Sequence, residues 1–139
     1  MRQQACRNLL CYVSVDSVEF LQPVEVGELV SLLASVNYVG RTSLIVGIRV
    51  ESENVKKGTI KHTNSSFFTM VAKGDDDKPV MVPELILESK EDVKRFIEAM
   101  RMKEIRSKVK EEMDDAKSTI DVARGETLLK GERCRIEYK

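Results

Sequence analysis

VSVDSVEFLQPVEVGELVSLLASVNYVGRTS, residues 13–43, decides the fold. Within it Val30, Leu32, Ala34, Val36 and Tyr38 share one parity, and Ser31, Ser35 and Asn37 take the other. A period of two marks a half-buried strand, because successive side chains leave a pleated strand on opposite faces. Just beyond the quoted stretch, Leu44, Val46, Ile48 and Val50 repeat the pattern against Ser43, Gly47, Arg49 and Glu51. Only Val39 to Thr42 separates the two runs, short enough for a hairpin corner in which Gly40 is free to take positive φ. Two antiparallel strands follow.

Working outward, the first strand changes phase. Val13 and Val15 share a parity that Val18 and Phe20 do not, so a β-bulge is expected near Asp16 and Ser17. Pro23 and Gly27 mark the turn into the next strand. A fourth strand, TIKHTNSSFFTMVA at 59–72, follows the Lys56-Lys57-Gly58 turn and looks partly buried on both faces. The sum is a meander of at least four antiparallel strands.

After Lys73 the character changes. Gly74 to Pro79 reads as a turn, and Pro79 to Pro83 as extended chain. Ser89 has the chemistry of an N-cap, with Glu91 and Asp92 suiting the dipole of the first helical turn. Val93, Ile97, Met100, Ile105, Val109 and Met113 then recur at helical spacing, which predicts an amphipathic helix lying on a surface. The class is therefore α+β. The expected organisation is an incomplete sheet domain at 1–86, a helical extension packed on it at 87–124, and a flexible tail at 125–139.

Composition bounds the function. The 139 residues make one domain's worth of chain, and 42% are hydrophobic, a globular composition. Lys plus Arg and Asp plus Glu both number 23, so no charge excess points to nucleic acid or an anionic membrane. No apolar run is long enough to span a bilayer, and no signal peptide is expected. Cys6, Cys11 and Cys134 form neither a disulfide framework nor a zinc pattern, which places the chain in a reducing, cytoplasmic compartment. Trp is absent, so there is no aromatic platform for single-stranded nucleic acid.

Few residues offer chemistry. His62 is the single histidine, and no nucleophile-elbow pattern accompanies its neighbouring serines, so a structural or binding role is expected. Asp75 to Asp77 lack the alternation that Ca²⁺ ligands need, and no metal site is expected. Asp16 and Glu19 are the carboxylates better placed for acid–base work, though a bulge-stabilising role for Asp16 and a solvent-facing one for Glu19 are the stronger expectation. Cys6 and Cys11 have no basic constellation to lower a thiol pKa. Gly40-Arg41-Thr42-Ser43 remains: a plain hairpin turn, or exposed backbone beside an arginine and two hydroxyls fit for an amide-rich, phosphate-bearing ligand. Lys56 and Lys57 would add charge for such phosphates, or serve solubility alone.

Five segments in order carry a resemblance: VSVDSVEF (13–20), PVEVGE (23–28), YVGRTS (38–43), HTNS (62–65) and KPVMVP (78–83). Together they resemble the hot-dog acyl-CoA thioesterases of the acyl-CoA hydrolase branch, over about Asn8 to Arg106. The resemblance implies a long antiparallel sheet wrapped around a central helix. It implies dimers with one continuous sheet, commonly assembled as trimers of dimers. By the same resemblance Val39, Gly40, Arg41, Thr42 and Ser43 lie along the pantetheine arm of coenzyme A, and Asn64 joins them as a substrate-binding residue. Coenzyme A enters as part of the substrate, and no separate cofactor is expected.

The resemblance also predicts a departure. The family's first strand, its aspartate and the carbonyl-polarising segment at the helix start would fall before Met1, leaving no catalytic residue in this chain. Met1 to Asn8 would match the end of the central helix, so most of that helix is expected to be missing and the chain to be truncated. Tyr12 stands where many relatives have an active-site threonine. A sheet without its helix would expose an apolar face large enough to drive association. Three functions are thus in view: an acyl-CoA thioesterase subunit with impaired or absent activity; a non-catalytic hot-dog module binding acyl-CoA or acting as an oligomerisation partner; and an interaction protein using the Val93 to Met113 stripe.

Overall fold

The computed structural model describes residues 9–135 and residue 137. Cys6, and the segment through Asn8 expected to end a helix, lie outside the described residues. Four strands, β1 (Leu9–Phe20), β2 (Leu29–Val39), β3 (Ser43–Asn54) and β4 (Thr59–Lys73), precede α1 (Lys90–Ser118), α2 (Val122–Gly125) and a 3-10 turn at Glu126–Leu129. All four expected strands are present. That last turn opens the segment expected to be flexible.

The sheet is antiparallel in the order β1-β4-β3-β2. It is therefore not a simple meander: β1 and β2, consecutive in sequence, form its two edges. Periodicity predicts strands but says nothing about which neighbour each one takes. The bulge expected near Asp16 lies between Val15 and Ser17, and a second lies between Tyr12 and Ser14. Asp16 accepts hydrogen bonds from Ser14 Oγ at 2.7 Å and, across the ladder, from Thr69 Oγ1 at 2.5 Å.

A bulge that the sequence did not announce falls between Val36 and Tyr38. It makes Asn37 the extra residue, and Tyr38 pairs with Ile45 instead of continuing the parity of Val30 to Val36. Tyr38 thereby crosses to the face carrying Leu33, Ser35 and Gly47, and meets Phe96 of α1 with ring centroids 5.0 Å apart. The reading that kept Tyr38 on the Val30 face is corrected.

Ser89 caps α1 as expected. Its Oγ accepts the Asp92 N–H at 3.1 Å, and Asp92 Oδ2 accepts from Ser89 Oγ at 2.7 Å and from the Glu88 N–H at 3.3 Å. This is a capping box with aspartate at its third position. The predicted stripe, however, is not what packs. Ala99 is fully buried and Phe96 half-buried, whereas Val93, Ile97 and Met100 are exposed.

Chain contacts separate two units, one ending at Met102 and one starting at Lys103, so the division falls inside α1. In the first unit Leu44, Ile45, Ala72 and Ala99 are buried. The sheet face opposite α1 carries Val15, Val18, Phe20, Val30 and Leu32, which stay exposed; Phe20 is 82% exposed. In the second unit, the end of α1 is tied by Ser118 Oγ and Thr119 Oγ1 donating to the Asp115 carbonyl at 2.7 and 3.2 Å.

Candidate functional site

The β2–β3 corner is held from three sides. The Gly40 N–H donates to the Ser43 carbonyl at 2.7 Å, the Thr42 carbonyl accepts from Ala72 N at 2.9 Å, and the Arg41 carbonyl accepts from Val82 N at 2.8 Å. The 79–83 run supplies that last contact, because Val80 N also bonds the Ala72 carbonyl at 2.9 Å. Gly40 does not use positive φ, contrary to expectation. Its value is room: a Cβ there would meet Ser43 Oγ at 3.3 Å and Tyr38 Cε1 at 3.6 Å. The corner carbonyls of Arg41 and Thr42 are spent on the fold, so its free groups are side chains. Arg41 is exposed and has no ion-pair partner among the described residues, while Val39, Thr42 and Ser43 are half-buried. A fixed corner with an unpaired guanidinium can hold a phosphate or a polar chain at little conformational cost.

The other expected site residues are not gathered here. Ser43 pairs with Val71 on β4, and Asn64 lies seven residues before it, roughly 24 Å away at the rise of a strand. Lys56 and Lys57 sit past the opposite end of the 12-residue β3, about 40 Å from the corner. Within one chain these lysines and the corner cannot meet the same phosphates.

His62 is spoken for. Its Nε2 lies 3.0 Å from the Asn64 carbonyl oxygen and 2.9 Å from Ser65 Oγ. A carbonyl only accepts, so the tautomer that suits this contact carries its hydrogen on Nε2, and in that tautomer Nε2 cannot take a proton from Ser65. The serine is therefore not activated, and His62 ties down the start of β4. Glu19 is exposed on the β1 edge. In the acidic turn, Asp77 takes a left-handed φ of 59° and pairs with Lys73 at 2.9 Å. Among the described residues no cluster of three His, Cys, Asp or Glu side chains could hold a metal.

Two carboxyls are held below their ordinary range: Asp92, mainly by the Ser89 hydroxyl at the start of α1, and Glu28. Glu28 Oε2 accepts the Glu25 N–H at 3.0 Å, and Oε1 pairs with Lys61 Nζ at 3.1 Å. The backbone N–H of Glu25 holds the Glu28 carboxyl below its ordinary range; partial burial opposes this, and Lys61 adds to it.

Two features escaped the sequence. A groove of about 450 Å³ between the sheet and the first turns of α1 is bordered by Arg49, Ser65, Phe67 and Arg95. A second pocket, of about 520 Å³, lies where β1 and β4 meet at Phe20 and Asn64. Both depend on which strands become neighbours. Among the described residues, no helix is long and apolar enough to cross a membrane.

With this geometry in place, comparison with known proteins gives one answer. The family model described as the thioesterase superfamily matches residues 2–59. Protein VdlD of Helicobacter pylori is 45% identical over 96 residues, 69% of this chain and 55% of that protein. The chain thus spans about half the length of the curated relatives it matches. The crystal structure of an acyl-CoA hydrolase from Bacillus cereus superposes with a TM-score of 0.74 at 31% identity, over 83% of this chain and 70% of that one. An apo-hexameric acyl-CoA thioesterase superposes with a TM-score of 0.70 at 36% identity, over 73% of this chain and 65% of that one. The antiparallel sheet followed by one long helix is the α+β hot-dog arrangement of these structures.

Proposed function

The chain belongs to the thioesterase superfamily, and from that premise we propose that it is a subunit of an acyl-CoA thioesterase, hydrolysing acyl-CoA to a free fatty acid and CoA. In that reaction the acyl carbon–sulfur bond breaks, water supplies the new hydroxyl on the acyl carbon, and the thiolate leaves as CoA after gaining a proton. The observation that carries the reading is the corner. It lies inside the matched residues 2–59, and its Arg41 is an exposed cation with no ion-pair partner among the described residues. We assign Val39 to Ser43 to the coenzyme A part of the substrate, with Arg41 toward the phosphates and Thr42 and Ser43 beside the pantetheine arm. The names of the similar solved structures support acyl-CoA as the ligand and a homo-oligomer as the working form, a trimer of dimers among the options. A cytoplasmic site of action suits a CoA ester.

The water-activating carboxylate is not assigned to a described residue. Asp16 is held by two hydroxyls and Glu51 by Arg49 at 2.7 Å, while His62 is committed as a donor. That observation favours a second reading, a hot-dog subunit that binds acyl-CoA without cleaving it. Thiol release from acyl-CoAs of graded length, measured beside calorimetric titration of CoA, separates the two. Turnover supports the hydrolase, binding without turnover supports the module, and neither would remove both.

A further inference from the structure

Resting on the acyl-CoA reading, we infer that the Lys56-Lys57 turn of one subunit completes the phosphate site at Arg41 of another, across a sheet made continuous by two β2 edges. Each half of that site is incomplete in its own chain. Arg41 offers one guanidinium, whereas coenzyme A carries a diphosphate and a separate ribose phosphate. Lys56 and Lys57 are exposed and have no ion-pair partner among the described residues. Of the neighbouring carboxylates, Glu28 pairs with Lys61 and Glu51 with Arg49, and Glu53 pairs with neither lysine. The turn itself is held: the Lys57 N–H donates to Asn54 Oδ1 at 3.0 Å, and the Gly58 N–H to the Asn54 carbonyl at 2.7 Å, with Gly58 at a φ of 64°.

The sheet has two outer edges, and they differ. β1 carries two bulges, which blunt an edge against pairing. β2 carries one, near its end, and its register from Leu29 to Val36 is unbroken. Leu29, Val30, Leu32 and Leu33 on that stretch are exposed. A regular, apolar open edge is a template for another strand. The occupant is a second copy of β2, since a strand pairing with itself about a two-fold axis is antiparallel and the same residues serve both sides.

That pairing decides what meets at the corner. β3 runs antiparallel to β2, so the β3–β4 turn lies at the end of the sheet where β2 begins, and the Gly40 corner lies where β2 ends. Two antiparallel β2 strands set the beginning of one beside the end of the other. The partner subunit's Lys56 and the partner subunit's Lys57 therefore stand at the same end as Arg41. Within one chain the separation is about 40 Å. Across the paired edges it is three strand spacings, about 14 Å, which the twist between strands opens to roughly 20 Å. An arginine reaching in from one side and two lysines from the other leave room for the phosphorylated nucleotide end of coenzyme A.

The test is calorimetric titration of CoA into the full chain. Lys56→Ala with Lys57→Ala should weaken binding about three- to tenfold and flatten its salt dependence, with the melting temperature unchanged. The deciding sample is a mixed oligomer of that variant with Arg41→Ala, co-expressed under two tags. Sites shared between subunits sort into a doubly damaged class and an intact class, so wild-type affinity reappears in a protein whose parents both lack it. Sites built within one chain would all stay weakened. Wild-type affinity in the lysine variant makes the turn a solubility feature and overturns the inference. A mixed oligomer without intact sites, or a wild type that binds CoA as a monomer in sedimentation, overturns it too. Each of these leaves the acyl-CoA reading standing. A wild-type chain that binds neither CoA nor any acyl-CoA overturns both.

Discussion

The Asn37 carboxamide lies directly over Gly47 on the next strand, where a Cβ at position 47 would fall inside the van der Waals shell of Asn37 Nδ2 and 3.2 Å from Phe67 Cε1. Asn37 is placed there by the β2 bulge, and its Oδ1 accepts from Ser35 Oγ at 2.7 Å. The bulge, the buried amide and the glycine form one unit. Overpacking such a site costs about 1–3 kcal/mol. Gly47→Ala should therefore lower the unfolding free energy, measured by urea titration, by about that amount, and pairing it with Asn37→Ala should recover most of the loss. Full cost in the double variant would refute the coupling.

Arg41→Ala should weaken CoA binding about five- to tenfold, because an exposed charge-assisted contact to phosphate is worth on the order of 1 kcal/mol. The wild-type affinity should fall as salt rises, and the variant's should fall less. Thermal stability should not move, since both carbonyls bracketing the corner keep their partners in the variant.

Ser65→Ala tests the reading of His62. With Nε2 fixed as a donor, the serine hydroxyl is an acceptor and not a nucleophile. Any thioester hydrolysis should stay within about twofold of wild type, whereas an activated serine would take the rate down by orders of magnitude when removed.

Glu28 should shape the acid limb of stability. Its folded pKa lies below the ordinary value of 4.5, mainly through the Glu25 N–H, so its contribution is present above that pH and is lost as pH falls through the folded value. Glu28→Gln should be destabilising near neutral pH, and the gap to wild type should narrow as pH falls below the ordinary value of 4.5. A gap that widened on acidification would contradict the sign. Lys61→Met should remove part of the same effect.

Much of this was legible in the chain. Val30, Leu32, Ala34 and Val36 announce their strand because pleating converts position directly into face. The bulge at Asp16 was visible for the same reason, as a slip in parity. Ser89 and Asp92 announced the start of α1, because a cap is a contact between residues three apart. Tyr38 was misplaced because its own parity is intact and the bulge beside it shows only in the pairing with β3. Val93, Ile97 and Met100 were mistaken for the packing face because a charge-rich helix with scattered apolar residues has no single favoured side.

The division between the two sources of knowledge follows range. Local periodicity, turn residues and capping chemistry act over a few residues, so the sequence alone determined four strands, the corner at Gly40 to Ser43 and the long helix after Ser89. The ordered series of segments from Val13 to Pro83 determined the family. Only the tertiary structure decided that β1 lies against β4, that His62 points its hydrogen at the Asn64 carbonyl, and that Asn64 ends beside Phe20 across the ladder, far from the corner. Those relationships join residues distant in the chain. They are set by which strand edges pair and which apolar faces are covered, and no local pattern encodes that choice.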